Sequence, residues 1–334
     1  MSFLRRTIGL AAGAVVASVA LSGCVAGEDA PAPAAAADAV SDTTIKLDWA
    51  TYNPLSLIIK DQGWLEDAGY DVEWTQSLGS SKANEALRAG AIDFGSTAGS
   101  AALLARANGA PQQIVDVVAQ PEWAALVVPA DSDISSVADL KGKTVAAALG
   151  TDPYFFLVQT LEANGLSVDD VTVENLIHAD GWAALQSGSV QAWAGLDPIM
   201  ASAQAAGAQL VSRDIDLNSY SVLNASERII DEHPEIVQVV VDAYEQARAW
   251  ALAHPEETAQ ILADAAAIDP TVAQAVIDER SGLDVDPVPG KTLAAVLKPI
   301  GAIQVEIGDA ASQQSIDDAL KTLFAPTFAE QAAG

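Results

Sequence analysis

The sequence predicts an α/β protein built as two lobes, and three observations lead there. From residue 45 onward strand-like and helix-like runs alternate, the pattern of mostly parallel strands joined by right-handed crossovers. About 290 of the 334 residues lie in this part of the chain, too many for a single hydrophobic core. Extended apolar runs at 123–129 and 220–224 stand where a chain can leave one lobe and return to it.

Taken in order, residues 45–50 read as a strand, 55–68 as a helix, 70–74 as a strand, 82–89 as a helix and 92–95 as a strand. A helix at 100–108 and a strand at 114–119 complete the first series. A second α/β unit begins with 137–142 and 143–149. It continues through a helix at 154–164, a strand at 171–176, a helix at 182–186, a strand at 191–194 and a helix at 198–206. Beyond Glu227 the pattern changes to long Ala-rich amphipathic helices, including 234–253 and 255–267, expected to complete and brace the first lobe. His233-Pro234-Glu235 and His254-Pro255-Glu256 repeat the same helix-start chemistry. The expected division is 44–119 with 222–328 as lobe 1 and 120–221 as lobe 2.

The N-terminus has a different character. Arg5 and Arg6 precede a short apolar run over 8–21, which is too short to read comfortably as a membrane span. Leu21-Ser22-Gly23-Cys24 ends that run and resembles a bacterial lipoprotein lipobox. The resemblance implies cleavage of a signal peptide over 1–23, acylation of Cys24, and a lipid anchor on the outer face of the cytoplasmic membrane. Residues 24–43, rich in Ala and Pro with no aromatic residue, bury too little surface to fold and read as a disordered tether. Cys24 is the only cysteine, so packing without a disulfide must hold the domain.

Removing Arg5 and Arg6 leaves 14 basic residues against 45 acidic ones, a formal charge of −31. Nucleic acid is thereby disfavoured as a partner. Long-range repulsion of small anions is screened within about 8–10 Å, so an anionic ligand needs strong local donors.

The chemistry gathers at strand ends. Asn53-Pro54, Asp152-Pro153 and Asp197-Pro198 each pair a favoured N-cap residue with proline, starting a helix directly after a strand. Gly79-Ser80-Ser81 and Ser96-Thr97-Ala98 bring small hydroxyl-bearing and glycine residues to the same kind of edge, where ligands bind in an open α/β sheet. Converging helix N-termini can hold an anion there without Lys or Arg. Trp193 beside Asp197 reads either as a cover for an organic ligand or as a core aromatic next to a cap; Asp152 is ambiguous in the same way. If both acids face the ligand, a zwitterion or neutral compound is preferred over a dianion. Tyr52, Tyr154 and Trp182 are candidate apolar walls that also serve packing. His178 has no second histidine or cysteine at metal-ligand spacing, and neither a Gly-x-Ser-x-Gly elbow nor a P-loop occurs. No metal, cofactor or catalytic residue is therefore expected.

Several of these segments resemble one family. Ala86-Leu87-Arg88-Ala89-Gly90-Ala91-Ile92-Asp93-Phe94-Gly95 looks like the signature of extracytoplasmic solute-binding proteins for aliphatic sulfonates, taurine and nitrate. Ala138-Asp139-Leu140-Lys141-Gly142-Lys143 and Gln191-Ala192-Trp193-Ala194-Gly195-Leu196-Asp197-Pro198 are similar to two further elements in the family's order, and Gly150-Thr151 stands where the family has Gly-Ser. The resemblance covers roughly 45–206. It implies a periplasmic binding protein type II fold, a cleft between lobes, hinge runs at 120–129 and 213–224, and a monomer delivering a small-molecule ligand to an ABC permease and its ATPase. Ligand contacts would map to Tyr52, Asn53, Pro54, Gly79, Ser80, Ser81, Ser96, Thr97, Ala98, Gly150, Thr151, Trp193 and Asp197. Gln191, Leu196 and Asp152-Pro153 depart from the pattern, so family membership is firmer than sulfonate specificity. Nitrate, aromatic or pyrimidine ligands, a ligand sensor, and a pyrimidine-precursor enzyme on the same fold stay open as alternatives.

Overall fold

The computed structural model describes residues 44–333; the expected signal peptide, Cys24 and the tether lie outside the described residues. Strand β1 (Ile45–Trp49) leads to Asn53, whose side chain accepts Ser56 N–H at 3.3 Å and starts α1 (Pro54–Gln62) with proline in the first turn. The single helix expected over 55–68 is broken instead. Gly63 takes a left-handed φ of 64°, closing α1 before a short α2 (Trp64–Asp67).

The series continues with β2 (Val72–Gln76), α3 (Ser80–Arg88), β3 (Phe94–Ala98), α4 (Gly99–Ala107) and β4 (Gln112–Ala119). β3 sits further along than expected, so Ser96, Thr97 and Ala98 belong to a fully buried strand, not to a loop after it.

β5 (Ala124–Val128) opens the second series, followed by β6 (Thr144–Ala147), α5 (Asp152–Ala163), β7 (Thr172–Asn175), α6 (His178–Gln186), β8 (Ala192–Leu196) and α7 (Ile199–Ala205). An unanticipated strand, β9 (Gln209–Arg213), precedes β10 (Ser221–Ser226). The remaining helices are α8 (Glu227–Glu232), α9 (Pro234–Ala253), α10 (Pro255–Ala266), α11 (Pro270–Glu279), α12 (Lys291–Glu306), α13 (Gln313–Thr322) and α14 (Thr327–Ala332). Pro234 and Pro255 do stand in the first turns of α9 and α10.

Two five-stranded sheets result, ordered β2-β1-β3-β10-β4 and β7-β6-β8-β5-β9. In each, one strand runs against the rest: β10 is antiparallel to β3 and β4, and β5 is antiparallel to β8 and β9. Val240 and Tyr244 of α9 pack with Ile45, Leu47 and Leu223 beneath the first sheet. A second core runs from Leu103 and Leu297 through Trp123 to Phe155, Phe156 and Ala194, so apolar packing continues from one sheet to the other. Among the described residues no helix is long and apolar enough to cross a membrane.

Candidate functional site

The carboxyl ends of the parallel strands in both sheets meet around two adjoining hollows. They share Thr51, Tyr52, Asp197 and Pro198. The larger, about 200 Å³, takes Ser77 and Leu78 from the end of β2, Ile177 and His178 from the turn after β7, and Leu196 and Ile199 around the end of β8. This is the edge at which an open α/β sheet binds ligands. The smaller hollow adds Pro54, Trp123, Ser221 and Arg280, with the Tyr52 and Trp123 rings edge to face at 6.1 Å.

Under Tyr52 lies a buried polar scaffold. Asp48 is fully buried and accepts Ser96 N–H at 2.9 Å and Ser96 Oγ–H at 2.8 Å. Asn53 Nδ2 donates to Ser96 Oγ at 2.7 Å, and Tyr52 Oη donates to the Ser96 carbonyl at 3.0 Å. Thr97 Oγ1 accepts from Asn224, and Ser80 Oγ accepts the Ala98 N–H. The polar groups of Asn53, Ser80, Ser96 and Thr97 are thus engaged with the protein itself and do not line the hollows, while the Ser96 carbonyl fixes Tyr52.

Burial pushes the Asp48 carboxyl up to about 6 despite its bonds to Ser77 and Ser96, and pushes Asp197 up to about 6 despite Arg280. Asp152 shifts in the same direction, while burial lowers His178 to about 4. Between roughly pH 4 and 6 the folded state holds protons on Asp48 and Asp197 that the unfolded chain has released, Asp152 adds in the same sense, and His178 offsets one of them. Stability is therefore expected to rise as pH falls from about 7 to about 5. Urea midpoints at the two pH values check this, and the gain should shrink in Asp48→Asn.

Both candidate acids prove to be committed. Asp152 is the first residue of α5, not its cap; Thr151 holds the cap position, with its hydroxyl donating to the Ala148 carbonyl at 2.6 Å. The Asp152 carboxylate accepts Ser100 Oγ–H and Ser219 Oγ–H at 2.7 Å, and Trp123 Nε1–H and Ser219 N–H at 2.8 Å. Four donors occupy both oxygens, leaving this side chain no part in holding a ligand amine. Asp197 accepts Ala201 N–H at 2.9 Å and pairs with Arg280 at 3.2 Å, while Arg280 also donates to Gln204 at 2.6 Å. Its edge still borders both hollows.

Of the remaining candidates, Trp193 is fully buried in the core of the second sheet. Its Nε1 lies 2.6 Å from where a Cβ on Gly181 would sit, so α6 packs directly on the indole. Trp182 stacks at a tilt on Trp193 and faces a separate hollow with Pro129 and Gly207. Tyr154 packs on Phe155 in the core. Ser81 and Gly150 border another groove, beside Asn84 and Leu104. The structure therefore brings Tyr52, Pro54 and Asp197 to the inter-sheet hollows, sets Gly79 beside them against His178, and disperses the others.

Sequence reasoning missed Ser77, Trp123, Ser219 and Arg280. It placed His178 near the cleft and weighed it as a metal ligand or a base, not as a ligand-binding residue. His178 is the first residue of α6 and is 5 % exposed; neither ring nitrogen has a hydrogen-bond partner. Among the described residues no cluster of His, Cys, Asp and Glu is arranged to hold a metal ion.

Comparison with known proteins adds a family. A family model described as NMT1/THI5 like matches residues 56–258. A protein of Escherichia coli (strain K12) named for aliphatic sulfonate binding is 30 % identical over 226 residues, covering 67 % of this chain and 71 % of that protein. The alkanesulfonate-binding protein SsuA from Xanthomonas axonopodis pv. citri, solved bound to MOPS, superposes with a TM-score of 0.78 at 24 % identity over 84 % of this chain and 99 % of its own. The periplasmic aliphatic sulphonate binding protein SsuA from Escherichia coli gives 0.73 at 25 % identity, over 85 % and 99 %. The two-lobed α/β architecture expected from the sequence is the fold these structures share.

Proposed function

The chain belongs to the NMT1/THI5 like family, and from that premise we propose that it is the extracytoplasmic solute-binding component of an ABC importer. Its ligand in this reading is a small organic anion, an alkanesulfonate or a taurine-like compound, and it catalyses no reaction of its own. The observation that carries the reading is the hollow between the strand ends of the two sheets. Its polar side carries Thr51, Ser77 and His178 with the acids Asp180 and Asp197, the latter paired with Arg280, and its apolar walls come from Leu78, Leu196 and Ile199. A compound with one charged head and a short apolar tail matches that division. The relative named for aliphatic sulfonate binding supports the same class.

Ligand touching both lobes favours their closure over the open state. We take lobe 1 as 44–119 with 222–328, lobe 2 as 120–221, and Tyr52, Pro54, Gly79 and Asp197 as ligand-side residues. The Leu21-Ser22-Gly23-Cys24 run supports a lipid anchor that keeps the protein beside its permease and ATPase.

A thermal-shift series with methanesulfonate to hexanesulfonate, taurine, nitrate and pyrimidines tests the proposal. Ligand at 100 times its dissociation constant is expected to add about 2.7 kcal/mol of apparent stability. A response confined to sulfonates supports the reading, and one confined to pyrimidines or nitrate overturns the ligand class.

A further inference from the structure

We propose that His178 holds the anionic head group in the inter-sheet hollow and takes up a proton as the anion enters. The inference rests on the solute-binding reading above and adds to it a recognition residue and a pH dependence.

His178 is 95 % withdrawn from solvent, yet neither Nδ1 nor Nε2 is bonded to any protein group. A buried polar side chain without partners is disfavoured unless something else supplies them. His178 lines the hollow, but both ring nitrogens are themselves covered, with Gly79 packed on the Nε2 edge, so the anion reaches a ring N–H as the imidazole and the Gly79 loop give way. The ring's position is held from across the cleft. Gly79, at φ 135°, has no side chain, and a Cβ there would lie 2.8 Å from His178 Nε2. Glycine therefore lets the loop before α3 close against the imidazole edge, and any larger residue would displace the ring.

The titratable groups around the hollow are mostly acids, so the positive charge for an anion has to come from the imidazole. On its own helix stands Asp180; from the end of β8 comes Asp197, already paired with Arg280; from the first sheet come Tyr52 and, behind Ser77, Asp48. No lysine or arginine is among the residues bordering this hollow. In an acidic surrounding with no unpaired cation, a neutral imidazole offers an anion one N–H and no charge. The imidazolium adds a full positive charge to the N–H it presents. Burial keeps the ring neutral while the hollow is empty, and an anion beside it reverses that preference. Binding and protonation are thus linked, each favouring the other.

The experiment is calorimetric titration of the full chain with butanesulfonate at pH 6 and pH 8, since a sulfonate keeps its charge throughout this range. Wild type is expected to bind at least tenfold more tightly at pH 6. His178→Gln should lose at least tenfold at pH 6 and show a flatter profile, the residual slope belonging to Asp48 and Asp197. Nitrogen-15 NMR of the wild-type imidazole gives a readout that needs no variant. The chain has three histidines, and one of them should pass from the neutral to the protonated signature when butanesulfonate is added at pH 6. Equal affinity and slope in His178→Gln, or an imidazole that stays neutral in the complex, overturns the inference while leaving the sulfonate reading in place. A wild-type protein that binds pyrimidines but neither butanesulfonate nor other anions overturns both.

Discussion

Asp152→Ala is expected to lower the stability of the folded chain by about 3–5 kcal/mol, the range for removing one partner from a buried charged network. Its carboxylate gathers donors from Ser100 at the start of α4, Trp123 just before β5 and Ser219 just before β10. All four donated bonds lie in the interior, where water cannot replace them. The variant strands two hydroxyls, an indole N–H and a backbone N–H in one place. Asp152→Asn should be only partly protective, because its amide group turns donors toward donors. Urea unfolding followed by tryptophan fluorescence reads the effect, and a loss below about 1 kcal/mol would show that the carboxylate is not what holds these segments together.

Gly282→Ala is the second large effect. Gly282 has φ 55°, and a Cβ there would overlap the backbone carbonyl of Gln120. The contact cannot be relieved by rotating a side chain, because Gln120 N–H bonds the Gly282 carbonyl and Glu122 N–H bonds the Arg280 carbonyl, both at 2.9 Å. Alanine must push the 280–282 stretch off the link between β4 and β5, carrying Arg280 away from Asp197. A loss of about 3 kcal/mol or more is expected, combining left-handed strain with overpacking. Gly63→Ala supplies the comparison: its φ is 64°, but nothing lies within 4 Å of the added Cβ. That variant should lose only about 1 kcal/mol, the cost of the backbone conformation alone. Equal losses at the two sites would refute the steric argument.

What the sequence disclosed followed the range of the interactions involved. Asn53-Pro54 was legible as a helix start because cap, proline and the capped Ser56 N–H lie within four consecutive residues. Asp152-Pro153 looks the same locally, but the partners of Asp152 lie 29, 52 and 67 residues away, and no local pattern announces them. Ser96 and Thr97 resembled loop residues for a related reason. Their hydroxyls can sit inside β3 because Asp48 and Asn224, distant in sequence, satisfy them. Trp193 kept two readings open from sequence alone, and the absent side chain of Gly181, twelve positions earlier, lets α6 close over the indole as a core residue. The order of strands and helices rests on near-neighbour patterning and was largely readable; the membership of the inter-sheet hollow depends on which strand ends the two sheets bring face to face.

The place of β10 in the first sheet has a consequence for how the molecule is assembled. β10 lies between β3 and β4, so β4 has no strand beside it until the chain has been made as far as residues 221–226. The second sheet draws all its strands from the continuous stretch between β5 and β9 and can pair its backbone while the first still waits. The half begun first is completed last, with the intervening hundred or so residues looped out between β4 and its partner. A nascent or truncated chain ending ahead of Ser221 exposes open edges on β3 and β4, the kind of surface that pairs with neighbouring chains.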